Sequence, residues 1–185
     1  MVHAYLKPYS GRPAGISFRH IVDADHAFLR DLYASVRAAE LAQVAWPDAA
    51  KRAFLDEQFG LQHQHYVQNY PGADLLLIEK DSRPVGRIYV YRTEKEIRLM
   101  DIALIESERV RGVGTALLQE LMDEARAAGR ELTLHVEPDN PAQRLYQRLG
   151  FRLIEHRGVY DFLGWTPASF SVGHARKPLN KSASP

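Results

Sequence analysis

Between a strand-like segment and a helix-like one lies Arg109-Val110-Arg111-Gly112-Val113-Gly114-Thr115, a stretch whose residue types suit the binding of an anion. The first turn of a helix has backbone N–H groups without intrahelical partners and carries the positive end of the helix dipole. Gly112 and Gly114 would let a phosphate approach that backbone closely, because glycine has no Cβ to hold it off. The alternative is that the two glycines only turn the chain. Two other phosphate loops are excluded, since no Gly-Lys-Ser/Thr is present and the glycine spacing is not that of a dinucleotide fingerprint. Downstream, Val136-Glu137-Pro138-Asp139-Asn140-Pro141-Ala142 leads to Leu145-Tyr146 and Leu149-Gly150-Phe151. Asp139 and Asn140 can cap a helix beginning at Pro141, Tyr146 falls inside that helix, and Gly150 stops it ahead of a strand.

The elements that would hold these residues follow from periodicity. Ile16 to Ile21 reads as a short strand, and Asp23 or Asp25 can cap the helix whose stripe is Phe28, Leu32 and Val36, widened by Leu29 and Tyr33. Pro47 suits the first turn of a second helix carrying Leu55, Phe59 and Tyr66, which Gly60 is expected to kink or divide. Leu75-Leu76-Leu77-Ile78 is a continuous apolar run, as in a strand covered on both faces. Strands from Val85 to Arg92 and from Glu96 to about Ile105 follow across tight turns, forming an antiparallel meander. A helix built on Leu117, Leu121 and Ala125 ends near Gly129. Leu132, Leu134 and Val136 then alternate with polar residues as a strand, and after the short helix a hairpin turns at Arg157-Gly158. The order βααβββαβαββ predicts a mixed α/β sheet in one domain over residues 1–165, with residues 166–185 as a tail.

Composition narrows the function. The 185 residues, 45% hydrophobic and 25% charged, suit one soluble domain with its own core. No apolar run reaches the roughly 20 residues of a membrane span, and the N-terminus lacks the pattern of a secretory signal, so a cytoplasmic protein is expected. The absence of cysteine removes disulfides, thiolate metal ligands and acyl-cysteine intermediates. A net charge of +1 provides no concentrated basic surface, and no nucleic-acid partner is expected; Arg144, Arg148, Arg152 and Arg157 come closest to one. His26, His63 and His65 have no carboxylate at metal spacing, so no metal is expected.

Taken together, the glycine loop opening a helix, the strand after it, and Asn140, Ala142, Leu145-Tyr146 and Gly150-Phe151 resemble the GNAT family of N-acetyltransferases. The matching motifs run from about Met100 to Phe151, and the element order from Ile16 to Leu163 fits the same fold: a mixed, mostly antiparallel sheet of about seven strands flanked by helices. The resemblance implies transfer of an acetyl group from acetyl-coenzyme A to a primary amine, by direct attack with both substrates bound. The loop from Arg109 and Val110 through Thr115 would hold the coenzyme, its pyrophosphate on the amides of Arg111, Gly112, Val113, Gly114 and Thr115. Ile102, Ala103 and Leu104 would pair through their main chain with the pantetheine arm, in a slot left where this strand bulges and splays from the one ending at Val136. Asn140 would contact the pantetheine region, Tyr146 would stand near the sulfur as general acid, and an N–H near Ala103 and Leu104 would polarise the thioester carbonyl. The chemistry agrees with those roles, because a neutral amine held within about 3–3.5 Å of the carbonyl carbon attacks directly. A preorganised backbone donor favours the oxyanion, and a tyrosine can protonate the departing thiolate.

For the base, Asp101 is the leading candidate, either as catalyst or as a structural carboxylate; Glu40, Glu57 and Glu96 stand behind it. The resemblance places acceptor choice in Glu40–Tyr70 and His156–Trp165. The first stretch sets Trp46, Phe54, Phe59, Tyr66 and Tyr70 among Glu40, Asp48, Asp56 and Glu57, which suits either a cationic small-molecule or peptide amine or simply two amphipathic helices. The resemblance also allows a homodimer. The rival reading is a coenzyme-binding sensor or scaffold that keeps the fold and does little catalysis.

Overall fold

A computed structural model of the chain describes residues 11–167. The apolar run Leu75 to Ile78 lies in a strand whose residues Leu76, Leu77 and Ile78 are wholly buried. It belongs to a seven-stranded sheet of order β1-β2-β3-β4-β5-β7-β6. The strands are β1 Ile16–His20, β2 Asp74–Lys80, β3 Arg83–Arg92, β4 Glu96–Leu104, β5 Glu131–Val136, β6 Arg152–Arg157 and β7 Tyr160–Trp165. Only β4 and β5 pair in parallel; every other neighbouring pair is antiparallel. The helices are α1 His26–Ala42, α2 Asp48–Asn69, α3 Val113–Ala128 and α4 Gln143–Arg148. The expected fold class is therefore present, with the element order predicted from periodicity.

Strand alternation sorts the two faces. Leu76 and Ile78 join Ile88, Ile97, Leu99, Leu132 and Leu134 in a core closed by Leu117, Leu121 and Ala125 of α3 and Tyr146 of α4. Leu77 turns the other way and packs with Leu29 of α1 and Phe59 of α2. The α1–α2 face also covers Arg87, a charged residue only 3% exposed in the middle of β3.

Two local expectations change. α2 runs unbroken through Gly60, where an added Cβ would meet nothing within 4 Å. Burial of Leu55 and Phe59 on its inner face outweighs the cost of about 1 kcal/mol for a helical glycine. α4 begins at Gln143 rather than Pro141, because Asn140 locks the preceding turn: its Oδ1 accepts from the Ala142 N–H at 2.9 Å and its carbonyl from the Gln143 N–H at 2.9 Å. α3 ends as expected at Gly129, whose φ of 62° permits the reversal closed by the Arg130 N–H on the Ala125 carbonyl. Of the expected tail, residues 168–185 lie outside those described.

Candidate active site

The parallel ladder of β4 and β5 runs from Glu96 opposite Glu131 to Leu99 opposite Leu134 and stops there, although β4 continues to Leu104 and β5 to Val136. The cause is visible on the other side of β4. Tyr89 pairs with Asp101 but Val90 pairs with Leu99, so Met100 is an extra residue that bulges and bends the strand. From Asp101 to Leu104 the edge of β4 facing β5 is left without a strand partner. Such an edge can be completed by an extended ligand. β3 presses closely on the opposite edge, where a Cβ at Gly86 would lie 2.3 Å from the Ala103 carbonyl oxygen. Ile102, Ala103 and Leu104 thus border an open slot.

The glycine loop sits at the mouth of this slot. Beyond β4 a short 3-10 turn, Glu106–Glu108, leads to Val110 and Gly112 at φ of 60° and 84°, and α3 begins at Val113. Turns of this kind bring successive N–H groups to one concave side. The first bond of the helix joins the Ala116 N–H to the Gly112 carbonyl at 2.9 Å, so the amides ahead of Ala116 are those a helix leaves free at its start. A Cβ at Gly112 or Gly114 would meet nothing within 4 Å, so the space in front of these amides is open to an anion. Arg109 braces the loop: Nε donates to the Leu104 carbonyl at 2.9 Å and Nη2 to Ser35 Oγ of α1 at 3.2 Å. Lys80 adds a second brace through Glu108 at 2.9 Å.

Tyr146 lies on α4 and closes the core. It is 6% exposed, packs against Phe151 at 5.7 Å between ring centroids, and has its hydroxyl pushed up to about 12 by burial and by the charge of Asp101. Asp101 itself is held by Arg87, whose Nη2 and Nε donate to its two oxygens at 2.8 and 3.3 Å, with Gln62 Oε1 accepting from the same Nη2 at 2.9 Å. The guanidinium lies 5.3–5.9 Å from the ring centroids of Tyr33, Phe59 and Tyr89. Burial, the largest single influence, would lower the Arg87 pKa, but the charge and hydrogen bond of Asp101 together with Tyr89 and Tyr66 outweigh it and keep the cation above its ordinary value. On the α2 side, Tyr66 donates its hydroxyl to the bulged Met100 carbonyl at 3.3 Å, and burial together with Asp101 raises its pKa strongly. The bulge is therefore held from two sides, by an ion pair and by a phenol.

The acetyltransferase (GNAT) family model matches residues 29–151. The chain belongs to that family. It is similar to an L-2,4-diaminobutyric acid acetyltransferase of Nocardia farcinica, 31% identical over 115 residues that cover 59% of each chain. It is also similar to a mycothiol acetyltransferase of Corynebacterium glutamicum, 33% identical over 131 residues, 65% of this chain and 45% of that protein. The chain thus spans 59% and 45% of the length of these two relatives. Among solved structures, the fold is shared with the PaiA N-acetyltransferase of Thermoplasma acidophilum in complex with coenzyme A, at a TM-score of 0.62, 18% identity, and coverage of 82% of this chain and 99% of that one. An acetyltransferase from Thermus thermophilus gives a TM-score of 0.61 at 17% identity, covering 84% of this chain and 99% of that one.

Within this GNAT chain, Asp101 lies on the open edge of β4, Tyr146 is near enough to feel its charge, and Arg111 to Thr115 follow the end of that strand. Asn140 lines a surface concavity with Asp139, Pro141 and Arg144, its Oδ1 accepting from the Ala142 amide. The other carboxylates fall elsewhere. Glu40 pairs with Arg37, Asp56 with Arg52, and Glu57 is exposed, while Glu96 bonds Arg98 and Thr133. The aromatic set also divides: Phe59 is core, Trp46 and Phe54 form an exposed edge-to-face pair at 5.6 Å, and Tyr66 and Tyr70 line the sheet through Tyr89 and Tyr91. Sequence reasoning missed Arg87 and Tyr66 as braces of the bulge. Arg87 had a signal, an arginine amid Val85, Ile88 and Val90, since arginine is seldom buried unless paired. Among the described residues, no group of three potential ligands could hold a metal and no helix is long and apolar enough to cross a membrane.

Proposed function

We propose that the protein transfers the acetyl group of acetyl-coenzyme A to a primary amine with both substrates bound. The observation that supports this reading is the open β4 edge leading to the free amides of α3, with Tyr146 near enough to Asp101 on that edge to feel its charge. The residues fit the coenzyme: Gly112 and Gly114 leave room for its pyrophosphate against Arg111 to Thr115, with Arg109 and Val110 shaping the loop. Ile102, Ala103 and Leu104 offer main-chain groups to the pantetheine arm, and Asn140 flanks it. The coenzyme supplies an acetyl group activated as a thioester. Tyr146, protonated throughout the neutral range, is the donor for the departing sulfur. A backbone N–H of the Ala103–Leu104 region would face the carbonyl oxygen. Asp101, fixed by Arg87, places its charge beside Tyr66 and Tyr146 and anchors the bulge that aims these groups.

The names of the two relatives support a small-molecule amine as acceptor, the amino acid diaminobutyrate among the first to try. The cytoplasm, which supplies acetyl-coenzyme A, is the compartment this reading requires. A homodimer would use the outer edge of β6, all six of whose residues are exposed, and light scattering tests for it. Isothermal titration with acetyl-coenzyme A, followed by a thiol-release screen over amino acids, polyamines, aminoglycosides and peptides, tests the function. Micromolar binding with thiol release on one acceptor class is the expected outcome. Binding without release would favour a coenzyme sensor, and no binding would remove the reading.

A further inference from the structure

Before it attacks, the acceptor ammonium must give up a proton, and the acid expected to receive it has both oxygens engaged by a guanidinium. Both carboxylate oxygens of Asp101 accept from Arg87, and the side chain is 13% exposed. The opposite wall of the slot ends differently. β5 finishes at Val136, which is buried in the core, and Glu137 follows on the α1 side, where its Oε1 accepts from Arg37 Nη1 at 3.0 Å. Among the described residues, Oε2 has no hydrogen-bond partner, and the side chain is 33% exposed. The main chain of Glu137 is fixed by the Asn140 N–H on its carbonyl at 3.0 Å, so the carboxylate projects from a set position. Arg37 is shared with Glu40 at 3.0 Å. Arg37 thus divides its charge between two carboxylates and does not hold Glu137 alone.

We propose that Glu137 is the catalytic base, a role that rests on the transferase reading above. An N–H bond of the acceptor ammonium breaks and its proton passes to Oε2. The freed electron pair forms the C–N bond to the acetyl carbon as the C–S bond breaks, and the sulfur takes the Tyr146 proton. The nitrogen's second proton returns through solvent to the Tyr146 oxygen, and Glu137 releases its own to solvent, so the net products are an amide, a thiol and one proton. Asp101 is the positioning residue that keeps the bulge in register.

The test measures thiol release across pH 6 to 10 on L-2,4-diaminobutyrate, 1,3-diaminopropane and glucosamine, for wild type, Glu137→Gln, Glu137→Asp and Glu40→Gln. Glu137→Gln is expected to lower kcat about 100-fold at pH 7 and to give a rate that climbs with pH as solvent takes over deprotonation. Its acetyl-coenzyme A Kd should stay within about twofold of wild type, Glu137→Asp should recover part of the rate, and Glu40→Gln should lose about threefold or less. Turnover of Glu137→Gln within about threefold of wild type overturns the assignment, as does a loss explained by weakened coenzyme binding. Absence of thiol release from wild type on every amine overturns the transferase reading itself, which is visible before any variant is made.

Discussion

Gly114→Asp separates the stability of α3 from its service to a ligand, because the two should move in opposite directions. Gly114 is the second residue of α3, has no positive φ, and a Cβ built there meets nothing within 4 Å, so the fold accepts a side chain. Replacing a helical glycine recovers at most about 1 kcal/mol, and less near the helix end. A carboxylate in the first turn gains about 0.3–1 kcal/mol from the helix dipole. A net gain of about 1 kcal/mol raises Tm by roughly 2–4 °C for a chain of this size. For the pyrophosphate the same carboxylate is a like charge. At about 4 Å and an effective dielectric of about 20 the repulsion is about 4 kcal/mol, and salt screening still leaves a loss of about 100-fold or more in affinity. Thermal unfolding without ligand and calorimetric titration with acetyl-coenzyme A read the two effects on the same preparation. A variant that binds the coenzyme as wild type does would show that the amides of α3 are not where the anion sits, and the reasoning from open glycines would fail.

Other consequences follow from the groups around the bulge. Arg87→Met leaves Asp101 buried beside the bulge without its cation and should cost about 3–5 kcal/mol in urea unfolding, whereas Arg87→Met combined with Asp101→Asn should lose much less than the sum of the single changes. Additive losses would mean that the pair is not coupled. Tyr146→Phe should lower kcat about 100-fold while leaving acetyl-coenzyme A binding unchanged. With its pKa raised to about 12, the Tyr146 phenol keeps its proton below that value and loses it only as pH rises through it, so wild-type kcat should not fall up to pH 10. A decline centred near pH 8 would rule Tyr146 out as the acid. Burial, with the charges of His26 and Arg87 around His63 and of Arg98 and Arg157 around His135, holds both histidines below their ordinary value of 6.5. In the acid range the unfolded chain therefore binds protons that the fold refuses. Stability is full above about pH 6.5 and falls below it. The urea midpoint should drop between pH 7.5 and pH 5.5, and His63→Gln with His135→Gln should flatten that slope; an unchanged slope would contradict the assignment.

Much of this architecture was legible because it is local. Apolar spacing marks α1, α3, β2 and β5, tight turns mark the meander and the closing hairpin, and the glycines at 112, 129 and 150 mark where helices begin and end, since each takes a backbone angle that other residues reach at a cost. The position of Tyr146, four residues ahead of Gly150, placed it on the last helix before the closing hairpin. What the sequence leaves open is whatever depends on two segments meeting. α2 passes through Gly60 because Leu55 and Phe59 find a core that no window of α2 contains. Asp101 could be read as a free base or a structural acid until Arg87, fourteen residues earlier, closed on both its oxygens across the β3–β4 ladder. In the sequence Glu137 is only a carboxylate after a strand. Its relation to the slot arises only when Met100 bulges, β4 parts from β5, and Arg37 of α1 fixes one of its oxygens. Local periodicity decides which elements form, because it is set by neighbours along the chain. The bulge, the slot and the pairing of charges are decided by contacts between strands and helices far apart in sequence, whose energies no single segment carries.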